Sequence, residues 1–223
     1  MLVLPLVGTL ITGAVMWLVV GAPLAALTSA LTNALGNLST GSLVLAGATL
    51  GLMVAADLGG PINKTAYTFA VAGLATGAPA APAIMAAVMA AGMTPPLAMA
   101  LATTLRRSWF TPAEQESGRA AWLLGAVYVT EGAIPFAAAD PLRVLPSLLA
   151  GSAVTGGLSA AFGVAAATPH GGIFVLPLVG NPLGYVLAIA AGTLVSAAAV
   201  LALKAREQRM RESHSGDPLC HDP

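Results

Sequence analysis

Asp57-Leu58-Gly59-Gly60-Pro61-Ile62-Asn63-Lys64 interrupts an otherwise apolar stretch. Two glycines followed by a proline cannot continue a regular helix. On either side the chain is hydrophobic: residues 1–56 and 65–105 carry no charge. At membrane depth, broken backbone is tolerated only where protein or a watery cavity surrounds it. The segment therefore reads as a break within a membrane domain, not as a surface loop.

Two further breaks lie downstream. Thr130-Glu131-Gly132-Ala133-Ile134-Pro135-Phe136 follows an apolar approach from residue 120 and stops at Asp140-Pro141. Pro169-His170-Gly171-Gly172 stands ahead of the last apolar run. Three interrupted segments bearing polar groups point to a transporter site rather than a simple helical anchor.

Composition supports this class. The 223 residues are 57% hydrophobic and 8% charged, where a soluble domain carries about 25% charge. This excludes a disordered region, a nucleic-acid binder and an ordinary cytosolic enzyme; the zero net charge says nothing about partners. The expected fold is an all-α polytopic membrane protein with broken helices and re-entrant hairpins. Plausible spans are 2–27, 41–56, 66–78, 80–105, 144–166 and 183–203, the second and third forming parts of one broken element. This gives a membrane domain over 1–203 and a polar tail over 204–223. Arg106, Arg107 and Arg119 place the 106–119 loop in the cytoplasm, and Lys204, Arg206, Arg209 and Arg211 place the tail there. The N-terminus lacks the basic start of a cleavable signal peptide, and its apolar run is too long for one. Gly47/Gly51 and Gly73/Gly77 have a spacing that permits close helix approach.

Outside the loop and tail, five charges remain: Asp57, Lys64, Glu131, Asp140 and Arg143. Each would cost roughly 2.5–3.5 kcal/mol at a helix centre facing lipid, so each must pair, line water or bind something polar. Lys64 and Arg143 can neutralise two of the three acids, which leaves one in surplus. Glu131, between Thr130 and Gly132, is little obstructed and suits bidentate hydrogen bonding to sugar or polyol hydroxyls; the alternative is a brace for a broken helix. Asp57 and Lys64 read either as ligand contacts or as an ion pair holding the Gly-Gly-Pro turn. Asn63 offers both donor and acceptor. Asp140 and Arg143 read as a cap plus an interfacial pair. His170, the one histidine of the apolar region, could be packed, carry a proton or bind a hydroxyl.

His214 and His221 are too sparse for a metal site, and the single Cys220 allows neither an intrachain disulfide nor a thiolate cluster. There is no HExxH, GxSxG, P-loop or CxxC pattern. No catalytic residue, cofactor or metal is therefore expected, and any chemistry belongs to a partner protein. On residues alone, an ion- or proton-coupled transporter with Glu131 and His170 as relay remains open, as does a non-transporting remnant.

These same segments resemble a known family. Residues 57–67 are similar to the Asp-x-Gly-Gly-Pro-x-Asn-Lys-x-Ala-Tyr segment of the fructose-specific enzyme IIC of the bacterial phosphoenolpyruvate-dependent sugar phosphotransferase system. Residues 130–136, with Asp140-Pro141 and Val144-Leu145-Pro146, resemble its second motif, and Pro169-His170-Gly171-Gly172 its third. The likeness runs from about residue 1 to 203. It implies a multi-pass inner-membrane permease subunit, dimeric, surrounded by lipid and without nucleic-acid contacts, that binds a fructose-like sugar. The sugar is presented to a phosphorylated IIB domain, supplied through enzyme I, HPr and IIA. The implied substrate-binding set is Glu131, His170, Asn63, Asp57, Lys64, Gly59, Gly60 and Thr130. Family members are longer by several N-terminal membrane segments, so the resemblance implies that this chain holds the C-terminal portion of that domain.

Overall fold

The computed structural model describes residues 3–15, 26, 29, 33 and 40–215. Among them are eight α-helices: α1 (Val3–Val15), α2 (Thr40–Ala56), α3 (Pro61–Thr76), α4 (Ala81–Leu105), α5 (Pro112–Ala126), α6 (Ile134–Ala139), α7 (Pro141–Ala161) and α8 (Pro182–Ser215). Short 3₁₀ turns cover Arg107–Trp109, Thr130–Ala133 and Ile173–Leu178. The described residues contain no strand, and Ala166–Val179 is an isolated bridge. Proline punctuates the chain: α3, α5, α7 and α8 each begin on one. At the first helical position its missing N–H costs nothing and its fixed φ favours the helix.

Among the described residues three helices are long and apolar enough to cross a membrane: Ala81–Leu105, Pro141–Ala161 and the Pro182–Arg206 part of α8. Large apolar side chains such as Leu142, Phe174, Leu183 and Leu194 stand exposed, as lipid-facing residues do. The chain is an all-α helical membrane protein.

α4 is the central wall. It contacts α2, α3, α5, α7 and α8, and it is apolar all round, as a fully buried helix must be. Its interior carries Pro95 and Pro96. Each lacks the N–H that would reach four residues back, so the carbonyls of Ala91 and Gly92 lose their helical donors. Two hydroxyls from other segments replace them: Ser152 Oγ donates to Ala91 O at 3.2 Å and Thr130 Oγ1 to Gly92 O at 2.9 Å.

Small residues set the other contacts. α2 buries Gly47, Leu50, Gly51, Val54 and Ala55, one helical face, and packs on α7. A Cβ on Gly47 would lie 2.5 Å from Gly156 O, so α2 and α7 touch backbone to backbone. Gly151 and Gly192 give α7 and α8 the same kind of seam. The second glycine pair behaves differently: Gly73 is buried, whereas Gly77 ends α3 in the left-handed region at φ 69°.

Several boundaries differ from the sequence reading. The 106–119 stretch is not all loop, because α5 starts at Pro112, where Thr111 and Glu114 form a reciprocal capping box. α3 starts at Pro61 rather than 66, since Asp57 caps it. α7 runs from Pro141 and stops at Ala161, ahead of Gly163 at φ 63°. α8 continues unbroken beyond residue 203. Of the 2–27 span, α1 is described and most of the rest lies outside the described residues, as do Cys220 and His221.

Candidate functional site

The first break is stitched at both ends. The Asp57 carboxylate accepts the Ile62 N–H at 2.6 Å and the Asn63 N–H at 3.0 Å. These are free donors of the first turn of α3, which a carboxylate suits in both hydrogen bonding and charge. In the other direction, the buried Asn63 amide donates to Val54 O at 2.6 Å, which satisfies a carbonyl in the last turn of α2. Asp57 and Asn63 therefore hold the turn together. Lys64 is exposed, and among the described residues it makes no ion pair with Asp57.

Gly59 is required twice over. Its φ of 109° is open to glycine and strained for other residues, and a Cβ there would lie 2.5 Å from Glu131 Oε1. The Glu131 carboxylate thus lies directly on the backbone of the first break. Gly60 is similarly confined, with a built Cβ 2.6 Å from Asp57 Oδ2.

Glu131 itself is exposed, on the 3₁₀ turn Thr130–Ala133. It edges a shallow cavity of about 240 Å³ with Ser117, Leu124, Val129 and Pro135. Thr130 fastens this turn to α4 through Gly92 O. Among the described residues no cation pairs with Glu131. Asp140 instead takes Arg143 at 2.9 Å and Lys204 at 3.6 Å, and Lys204 also lies 4.7 Å from the Phe110 ring centre. The unpaired acid expected from sequence is thus Glu131, since the amides of α3 engage Asp57 and two cations engage Asp140.

The third break is the loop from Phe162 to Asn181. Ala166 pairs with Val179 at its base, Gly180 N–H donates to Ala165 O at 2.8 Å, and Ala166 N–H donates to Pro82 O at 2.9 Å, which moors the base to the start of α4. Pro169–Gly172 lies within this loop. His170 is exposed, and its Nδ1 meets the Gly171 carbonyl. A carbonyl only accepts, so Nδ1 carries the proton in this contact and Nε2 is the ring nitrogen turned away from it.

The fold gathers the three breaks. Gly59 lies against Glu131; the Tyr128 and His170 rings have centroids 5.9 Å apart; Tyr67 Oη donates to Pro169 O at 3.0 Å. Tyr67 entered the sequence reading only as the end of the 57–67 segment, with no role given, and Tyr128 and Pro95-Pro96 did not enter it. Only the prolines carried a signal, because two helix-breaking residues in a buried span demand two outside donors. Among the described residues no three His, Cys, Asp or Glu side chains gather as a metal site would need.

The chain is similar to known proteins over most of its length. The chain is 56% identical over 206 residues to a fructose-specific EIIB'BC component of a phosphotransferase system from Rhodobacter capsulatus, covering 91% of this chain and 35% of that protein. It is 50% identical over 196 residues to a fructose permease IIC component from Bacillus amyloliquefaciens, covering 88% and 63%. The chain is a homologue of the fructose permease IIC components. The IIC likeness extends to an Escherichia coli fructose-like permease IIC component 2, at 47% identity over 91% of this chain and 55% of that protein. The chain thus spans between about a third and two thirds of the length of these IIC relatives. No family model matches it, and no solved structure matches it significantly.

Proposed function

We propose that the chain works as the sugar-binding and translocating part of a phosphotransferase-type permease, taking fructose or a related hexose. The observation that carries this reading is the unpaired Glu131 carboxylate laid over the Gly59 backbone, where three broken segments meet. The carboxylate can accept two sugar hydroxyls at once, and His170 Nε2 can accept a third. Asn63, Asp57, Gly59, Gly60, Lys64 and Thr130 belong to the first two of these broken segments, beside the residues that line the Glu131 cavity. For most of these, the hydrogen bonds described above support a role in shaping it rather than in touching the sugar.

The names of the relatives join IIB and IIC in one protein, which supports a phosphorylated IIB partner on the cytoplasmic side, with IIA, HPr and enzyme I upstream. In the transfer step, a sugar hydroxyl oxygen attacks the phosphorus, the bond to the IIB residue breaks, and the hydroxyl proton passes to Glu131. The basic residues 106, 107 and 119 and those of the tail from 204 support a cytoplasmic position for those segments, in a multi-pass, dimeric assembly of the inner membrane.

Vesicles holding the full-length chain with its IIB and IIA partners, HPr, enzyme I and phosphoenolpyruvate should phosphorylate fructose. Glu131→Gln should reduce the rate to background. Uptake driven by a pH gradient without phosphoenolpyruvate, or normal uptake by Glu131→Gln, would refute the proposal.

A further inference from the structure

All three tyrosines of the chain, from three different elements, converge on residues 169–172. Tyr67, on α3, donates its hydroxyl to Pro169 O at 3.0 Å. Tyr128, between α5 and the Glu131 turn, sets its ring beside His170 and so close to Gly171 that a Cβ there would lie 2.6 Å from Tyr128 Cδ2. Tyr185, buried on α8, lies against the Gly172 amide and donates to Met93 Sδ at 3.5 Å. The Tyr128 ring is pinned from α4 as well: a Cβ on Gly92 would be 2.5 Å from its Cε2.

The backbone is strained to allow this. Among the described residues, Leu58 and Tyr128 are the non-glycine residues with positive φ, at 49° and 67°. One stands in the first break and the other three residues ahead of Glu131. Such strain persists only where surrounding structure over-determines it, and it collects at functional sites. A ring driven into that conformation, with two glycines cleared to receive it, is a placed part of the site.

We infer that Tyr67, Tyr128 and Tyr185 are positioning residues that clamp the Pro169–Gly172 segment and so fix the His170 imidazole relative to Glu131. The inference rests on the proposed sugar-binding reading and deepens it. The His170 loop is moored at its base by Pro82 O and Ala165 O; at its far end Gly171 and Gly172 also lie near Met89, Ala126 and Val127, and the tyrosines add the ring and hydroxyl contacts closest to the imidazole. Each tyrosine acts through His170, so its contribution to sugar affinity exists only while His170 is there to be aimed.

The test is a double-mutant cycle on the full chain in lipid nanodiscs, reading fructose affinity, with thermal unfolding as a folding control. Tyr67→Phe and Tyr185→Phe each remove one hydroxyl and should weaken fructose binding about five-fold, the scale of one lost hydrogen bond. Tyr128→Leu should weaken it about ten-fold, and Tyr128→Phe, which keeps the ring, should restore wild-type affinity. With His170→Ala in place, Tyr67→Phe should change affinity less than two-fold, because there is no imidazole left to orient. An equal loss in both backgrounds, or no loss from Tyr67→Phe in the wild type, overturns the clamp while leaving the sugar site standing. Failure of the unmodified chain to bind fructose overturns the sugar reading, and the clamp with it. If Tyr128→Leu does not fold, Tyr67→Phe and Tyr185→Phe decide the question.

Discussion

Replacing Thr130 by valine keeps the shape of the side chain and removes the hydroxyl that donates to Gly92 O at 2.9 Å. That carbonyl has no helical partner, because Pro96 stands where its donor should be. The loss is therefore more than one net hydrogen bond: a buried acceptor is left bare, which costs about 1–3 kcal/mol. Interhelical hydrogen bonds in membranes measure nearer 0.6 kcal/mol on average, with a maximum near 1.7. Since both proline positions are buried within α4, the upper part of that range applies, and about 1.5 kcal/mol is expected. Unfolding in detergent, followed by titration with denaturant, should show that loss for Thr130→Val and almost none for Thr130→Ser. The decisive comparison adds Pro96→Ala, which restores an N–H to the Gly92 carbonyl. In that background Thr130→Val should cost less than about 0.5 kcal/mol, since the acceptor is already satisfied. An undiminished cost would refute the claim that Thr130 completes the broken helix.

Gly59→Ala should abolish fructose phosphorylation without unfolding the protein, because the methyl group meets Glu131 and the φ of 109° disfavours any side chain; uptake and thermal unfolding measured together separate the two effects. Asp57→Ala should lower stability by about 1–2 kcal/mol through loss of the α3 cap, whereas Asp57→Asn should retain most of it. Thermal unfolding of both variants in the same detergent checks this.

The breaks were legible in the sequence because glycine and proline act locally: 57–60, 130–135 and 169–172 all interrupt helices as their composition requires. The division of the acids was only partly legible. Asp140 and Arg143 are three residues apart and do pair, but Lys204, the second cation at Asp140, comes from a distant helix that no local pattern links to it. Asp57 and Lys64 suggested an ion pair by proximity. Helix formation from Pro61 instead turned the Asp57 carboxylate toward the amides of α3 and left Lys64 outside. The helix α5 was missed although Thr111 and Glu114 carry a capping box, because the charges of 112–119 read as loop. The convergence of the tyrosines was beyond reach: Tyr67 and Pro169 are separated by 102 positions, and only the tertiary path brings them together.

The dependence of the site on Gly59, Gly92, Gly171, Pro95 and Pro96 has a consequence for how substitutions are tolerated. An alanine scan removes side-chain atoms, and at these glycines it would add them. The positions with the least chemistry of their own should therefore be the least permissive, with methyl groups at Gly59, Gly92 and Gly171 as damaging as loss of a polar ligand. Drift in substrate preference should then arise at residues bordering the sugar, while the glycine and proline frame stays fixed.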